Sequence, residues 1–486
     1  MSSNFHSSEQ YSEIIHTKLN DKQMRENLKS GMRTLKTNRK NTIANRYKDW
    51  EELRELGRKV KQNALSKLPE LLERFEANAV KNGFVVHWAS DAKEANEVIL
   101  KLMHKNDANI ILKGKSMASE EIHLNHYLQE HNIDAKETDL GELIIQLIDE
   151  PPVHIVVPAI HKNRYEVRDI FNDKLGANLK ENDAESIETL NGVARGHLRQ
   201  KFKDFKIGLS GVNFAIANEG AIWLIENEGN GRMSTTACDI HIAICGIEKI
   251  VESFEDASIL DMLLVPSATG ANISCYNNII AHPRQKGELD GPKEVHIILL
   301  DNNRSRILAD SHYYRSLSCI RCGTCLNHCP VYDKIGGHAY LSTYPGPIGE
   351  VVSPQIFGID NCAPMLNLCS LCGRCSEVCP VKIPLAELIR DLRSEKAGEG
   401  RGGVVGYANV HRNATERRSF AVFTYIATSG FAWRITTSMV RIFGGLGKFV
   451  GGIVPGLNAW LKYRAYPELD ASLHTKLKTM QGVIYE

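Results

Sequence analysis

Apolar positions recur along this chain with two different periods, and the change of period divides it. Up to about residue 80, Leu53, Leu56, Val60, Ala64 and Leu68 recur at three- and four-residue steps, which predicts a helix burying one face. Arg25, Lys29, Arg33 and Lys36 are read as a solvated helix face. From about 81 to 308, short β-branched runs take over: Ile110 to Leu112, Ile155 to Val157, Phe214 to Ala217 and Val295 to Leu299, separated by helical stretches such as Ala92 to Met103. That alternation predicts an α/β domain with a mostly parallel sheet. Glu219-Gly220 is placed as a tight turn between two strands, and Gly229 with Gly231 as a second, flexible loop.

The pattern changes twice more. Residues 309–395 are read as a cysteine-rich module, with a helix past Pro384 through Arg393, and 396–486 as a basic and apolar tail behind a glycine-rich linker. Between 401 and 450 there are seven Lys or Arg and one Glu, a local net of +6, interleaved with Phe420, Phe423, Tyr425, Phe431, Trp433 and Phe443. The apolar run from Ser419 to Trp433 is too short to span a membrane. Arg434, Arg441 and Lys448 are spaced to share one helical face, a pattern that suits packing on a partner or lying on an anionic membrane. Partner packing is preferred, because Gly444, Gly445, Gly447, Gly451 and Gly452 weaken a long surface helix.

Composition adds boundaries rather than detail. A net charge of +1 argues no general affinity for nucleic acid, and 43% hydrophobic residues can bury a substantial core. With no signal peptide, the chain is expected in a reducing cytoplasm, where disulfides are rare.

The chemistry lies in the cysteines. Nine of twelve fall between Cys319 and Cys379, in two runs: Cys319-Ile-Arg-Cys322-Gly-Thr-Cys325-Leu-Asn-His-Cys329-Pro330 and Cys369-Ser-Leu-Cys372-Gly-Arg-Cys375-Ser-Glu-Val-Cys379-Pro380. Each reads C-x2-C-x2-C-x3-C-P, the run that holds four-iron clusters in bacterial ferredoxins, where the fourth cysteine serves the other cluster. By that rule Cys319, Cys322, Cys325 and Cys379 hold one 4Fe–4S cluster, and Cys329, Cys369, Cys372 and Cys375 the second. Gly323 and Gly373 would let backbone amides approach the sulfides. Structural zinc is the competing reading of C-x2-C pairs, disfavoured by the duplicated, proline-terminated run of four cysteines. Cys362 is read as an unligated buried thiol, and Cys238, Cys245 and Cys275 as core residues. Gly336-Gly337, Pro345, Pro347 and Pro354 predict an ordered loop between the two runs.

These motifs, together with Lys113 to Ile122, Glu137 to Glu142, Val157 to Lys162, Asn227 to Arg232 and Ser267 to Gly270, resemble lactate utilization protein B along nearly the whole chain. The resemblance implies a LUD domain, similar in fold to sugar-phosphate isomerases and CoA transferases, joined to a ferredoxin-type module. It also implies a three-protein system oxidising L-lactate to pyruvate for growth on lactate, whose other members are a cysteine-rich iron-sulfur protein and a second LUD-domain protein.

Read from the residues alone, the substrate step stays open. Neither G-x-G-x-x-G nor a P-loop is present, so no nicotinamide or flavin fingerprint marks the carrier for a two-electron oxidation. The favoured reading is an electron-transfer subunit. One alternative is a 2-hydroxy acid dehydrogenase acting through the LUD pocket, with Glu219, Lys115, His161, Lys162 and Arg232 as candidates to meet substrate. Another is a non-catalytic redox-sensing subunit. Peripheral contact of the tail with the inner membrane face is a further expectation.

Overall fold

The computed structural model describes residues 8–397 and 414–443, with positions 461, 479 and 480. The chain falls into two compact units, Met1–His411 and Arg412–Glu486. The strands are β1 (Val85–Ala89), β2 (Ile110–Lys113), β3 (Asp134–Glu137), β4 (Ile207–Gly211), β5 (Phe214–Ile216), β6 (Ala221–Glu226), β7 (Ile240–Gly246), β8 (Ile250–Val251), β9 (Tyr276–Ile280) and β10 (Glu294–Leu300).

Six strands form a wholly parallel sheet in the order β1-β10-β7-β4-β2-β3. Its central strands are buried on both faces, which is why they read as continuous apolar runs rather than alternating ones. Along β10, Val295, Ile297 and Leu299 enter one core with Leu71 and Phe75. Ile298 and Leu300 enter the opposite core with Ile99 and Met103. A smaller sheet, β8-β5-β6-β9, carries the β5/β6 hairpin predicted at Glu219-Gly220.

Close packing at β4 sets a sharp requirement. A Cβ at Gly208 would stand 1.8 Å from the Ser234 carbonyl oxygen of helix Asn230–Thr236, so the helix can lie on the strand only where no side chain intervenes. Gly208→Ala is expected to lower the urea midpoint by the equivalent of about 3 kcal/mol, the upper range for overpacking. An unchanged midpoint would refute this contact.

Several expectations shift. Ile155 to Val157 forms no strand: Val153–Pro158 is a buried bend closed by Val153 N–H to the Pro158 carbonyl, 3.1 Å. Tyr332 of the cysteine module donates its hydroxyl to the Val153 carbonyl, so tertiary contact overrides the β-branched propensity. Gly229 and Gly231 do not make a loop. Gly229, at φ 80°, caps helix Asn230–Thr236. Leu56 is exposed, while Gly57, Val60, Lys61, Ala64 and Leu65 form the buried stripe of helix Trp50–Ser66. The connection between the cysteine runs is not a loop but three short α-helices, Tyr332–Ile335, Gly346–Phe357 and Ile359–Leu366, with a 3-10 turn at His338–Tyr340 and with Pro347 in a first turn where its missing N–H is harmless. Cys238, Cys245 and Cys362 are buried, but Cys275 is exposed. The expected helix beyond Pro384 runs Leu385–Ala397.

In the second unit, helices Ala414–Thr428 and Gly430–Phe443 break the apolar run at Ser429, and Phe420, Phe423, Tyr425, Phe431 and Trp433 are exposed. Among the described residues no helix is long and apolar enough to cross a membrane. The Arg441 side chain and Lys448 lie outside the described residues.

Candidate functional site

The two cysteine runs fold alike. Arg321 and Leu371, each one residue before the second cysteine, take left-handed backbone at φ 62° and 55°, and Gly323 and Gly373 follow at 72° and 80°. Left-handed Arg and Leu are costly unless the surroundings impose them. Here the turn aims amides at sulfur: Arg321 N–H donates to Cys319 Sγ at 3.4 Å, and Leu371 N–H to Cys369 Sγ at 3.3 Å. The fourth cysteines are also served, Tyr332 N–H reaching Cys329 Sγ at 3.5 Å and Ile383 N–H reaching Cys379 Sγ at 3.3 Å.

Tertiary structure then sorts the thiols crosswise. Cys319, Cys322 and Cys325 line one small void together with Cys379 of the other run. Burial, followed by repulsion from Cys379, pushes the Cys322 thiol up. Burial pushes Cys375 up to about 12, helped by Cys369 and by Cys329 of the first run. Cys329, up to about 11 through burial, also feels Cys372. Cys325 senses Cys375, where the two sets approach each other. Among the described residues no three of these sulfurs lie within 4.8 Å of one another. Tetrahedral zinc with bonds of ~2.3 Å needs them closer than that, at ~3.8 Å. The first set gathers on one void, and Cys329, Cys369, Cys372 and Cys375 feel one another's charge, so each set could hold an iron-sulfur cluster.

The sets differ in exposure. Cys322, Cys325 and Cys379 are buried, whereas Cys372 is exposed beside Leu371, and nothing lies within 4 Å of where a Gly373 Cβ would be. The N-terminal helices help enclose the buried set. Met24, Leu28 and Met32 share its hydrophobic core. Arg54 donates to the carbonyls of Cys379, 2.8 Å, and Glu377, 2.7 Å, and Arg39 to that of Val378, 3.2 Å.

Beside the buried set lies a cavity of about 420 Å³ in the α/β domain. Arg321 and Ile155 belong to both walls, so one layer of side chains separates cavity from thiols. At this boundary Arg304 is bidentate on Glu121, 2.8 Å to each oxygen, and reaches Glu248 at 2.5 Å. Asn302 and Tyr344 also donate to Glu121, at 2.7 and 2.5 Å. Arg321 reaches Glu248 at 3.4 Å and stacks over Tyr344, 4.6 Å from ring centre.

Of the residues chosen from sequence, Lys115 lines this cavity and donates to the Val156 carbonyl. His161 and Lys162 meet elsewhere, on Glu150, at 2.7 and 3.0 Å. Glu219 and Arg232 are exposed outside the cavity. Lys249, Glu248, Arg304 and Tyr344 escaped sequence reasoning, since no spacing marks them; Arg321 stood in plain view within C-I-R-C.

Family models match along the chain: the LUD domain over residues 72–300, a 4Fe-4S dicluster domain over 315–383, and lactate utilisation protein B, C-terminal, over 391–483. Lactate utilization protein B of Bacillus cytotoxicus is 38% identical over 95% of this chain and 95% of its own. The chain belongs to the lactate utilization protein B family. That of Bacillus licheniformis is 41% identical over 80% of this chain and 81% of its own. A relative from Escherichia coli K12, named an uncharacterized electron transport protein, YkgF, is 37% identical over 94% and 93%. The crystal structure of a DUF162 family protein from Deinococcus radiodurans overlaps at TM-score 0.28 and 14% identity, covering 48% of this chain and 98% of that one. For this lactate utilization protein B family member, the dicluster match spans all eight run cysteines and assigns an iron-sulfur cofactor.

Proposed function

We propose that this chain is the electron relay of a complex oxidising L-lactate to pyruvate, with Cys319, Cys322, Cys325 and Cys379 holding one 4Fe–4S cluster and Cys329, Cys369, Cys372 and Cys375 a second. When bound, such clusters supply one-electron transfer, so a pair accepts in succession the two electrons a 2-hydroxy acid releases. The observation that carries this reading is the graded burial of the two thiol sets, one against the cavity of the LUD domain and one opening at the surface through Cys372. The interior set is screened from water and oxygen by the N-terminal helices; the surface set is open to a docking protein. Its partners in this reading are a cysteine-rich iron-sulfur protein and a second LUD-domain protein. The exposed aromatic residues of the tail suit a docking surface, and Gly444, Gly445, Gly447, Gly451 and Gly452, which weaken a long surface helix, favour such a partner over the membrane face.

The test is anaerobic. L-lactate is added to the cluster-loaded chain alone and with both partners, and reduced clusters are counted by EPR. Reduction only with partners is the expected result. Reduction of the isolated chain would instead make it the dehydrogenase, and no reduction in either mixture would overturn the relay.

A further inference from the structure

We infer that the cavity beside the buried thiol set is a binding site for a small monocarboxylate of the 2-hydroxy or 2-oxo acid class, held at its carboxylate by Lys249 and Arg321. The choice of acid rests on the relay reading; the anion site itself rests on geometry.

Lys249 carries the argument. It lies deep enough that burial, and then Arg321, lower its pKa, yet it keeps accessible surface because it faces the cavity. Its ammonium makes no direct hydrogen bond or ion pair among the described residues; Glu248 and Cys319 stabilise its charge only from a distance, although a charge taken out of water is ordinarily compensated by contact. Glu248 next to it is already engaged by Arg304 and Arg321. Lys61, whose ammonium is also buried, donates to the Glu248 backbone carbonyl at 2.6 Å rather than to a carboxylate. The cavity wall as a whole also carries Lys115, Asp139, Glu226 and Glu228, and these three carboxylates accept from backbone N–H groups, Asp139 from Glu142, Glu226 from Gly231 and Arg232, and Glu228 from Leu140. Around Lys249 itself, Lys61, Lys249, Arg304 and Arg321 face Glu121 and Glu248, and that local excess calls for an anion.

The thiolates of a loaded cluster would absorb part of that excess. Lys249 does feel Cys319, but it lines the cavity and not the wall of the thiol void, so its donors are open to the cavity. Arg321 offers five N–H donors and uses one, weakly, on Glu248, while the Tyr344 ring fixes its plane. In the same cavity wall, Asn213 accepts Ile225 N–H at 3.0 Å through Oδ1, which leaves its Nδ2 to donate to a 2-oxygen. About 420 Å³ accommodates an acid of three or four carbons with room to spare. An acid seated there would lie one side chain from the buried thiols.

Pyruvate tests this, because the oxidised acid cannot itself reduce the protein. It is titrated into the anaerobic, cluster-loaded full chain, with binding read by calorimetry and by the EPR line shape after dithionite reduction. Saturable binding at one site with a changed line shape is expected. Lys249→Gln, at unchanged iron content, should weaken binding roughly tenfold or more, and Lys249→Arg should restore most of it, because a charge-assisted contact is lost and then replaced. Asn213→Ala, remote from the cysteine loops, should weaken binding roughly fivefold and serves as the second variant should Lys249→Gln shed iron. No saturable binding, or binding by Lys249→Gln and Asn213→Ala equal to wild type, would overturn the site. Lactate turnover by the complex with Lys249→Gln at unchanged KM and unchanged pyruvate binding would remove the site and keep the relay. Pyruvate binding through Lys249 without lactate-driven reduction would do the reverse.

Discussion

Alanine at Cys329 and Cys375 together will leave about four of about eight irons per chain, whereas alanine at Cys329 and Cys325 together will leave close to none. The pairs are matched in number and in the burial of their members; they differ only in how the thiols are grouped. If each run held its own cluster, the outcomes would exchange: Cys329 and Cys325 would fall on one cluster, Cys329 and Cys375 on two. The crosswise grouping follows from Cys379 sharing the void of Cys319, Cys322 and Cys325, and from Cys329 sensing Cys372. Iron and sulfide analysis after anaerobic purification reads the result directly, and EPR adds a second measure, since the chain with one cluster loses magnetic coupling between two.

Replacing Arg304 by Met will cost about 3–5 kcal/mol, the range for breaking a buried ion pair by removing one partner. Arg304 is 2% exposed and spans two carboxylates that are no more accessible than itself. Glu121 would keep Asn302 and Tyr344 as donors, but its charge would lose the guanidinium that burial makes necessary. Lysine at this position should recover only part of the loss, because an ammonium cannot be bidentate on Glu121 while reaching Glu248. The urea midpoint of the loaded protein is the measurement. A midpoint matching wild type would mean that the two carboxylates are relieved by water or by protonation, and that the boundary between cavity and thiols is not held by this network. A further consequence is expected at the buried thiols, since Glu248 also orients Arg321 of the first cysteine run.

The reading from sequence was strongest where chemistry depends on neighbours along the chain. The two four-cysteine runs place their sulfurs through turns of a few residues, and Gly323 and Gly373, left-handed in the structure, stand where the letters already let backbone approach sulfur. The matching left-handed positions at Arg321 and Leu371 are not, because nothing in those side chains favours that backbone; the amide-to-sulfur contacts impose it. Strands with a period or a long apolar run, such as β10, were legible for the same local reason. Ile155 to Val157 misled because they sit in a bend closed by Val153 and Pro158, which Tyr332 of a distant module holds at the Val153 carbonyl, rather than pairing with another strand. The candidate acid site was the least legible. Lys115 was singled out and does line the cavity, but Glu219, Arg232, His161 and Lys162 were chosen for chemical type and lie apart from it.

By itself, then, the sequence determined that this protein carries two ferredoxin-type cysteine runs behind an α/β domain of parallel strands, because both features arise from spacings of two to four residues. Only the tertiary structure decided which thiols share a void, which set faces water, and that Lys249, Arg304, Arg321 and Tyr344 gather where the cavity meets the buried set. Those residues are separated by tens of positions in the chain, and their meeting is fixed by the packing of the sheet, the N-terminal helices and the helical connection between the runs, which no local pattern records.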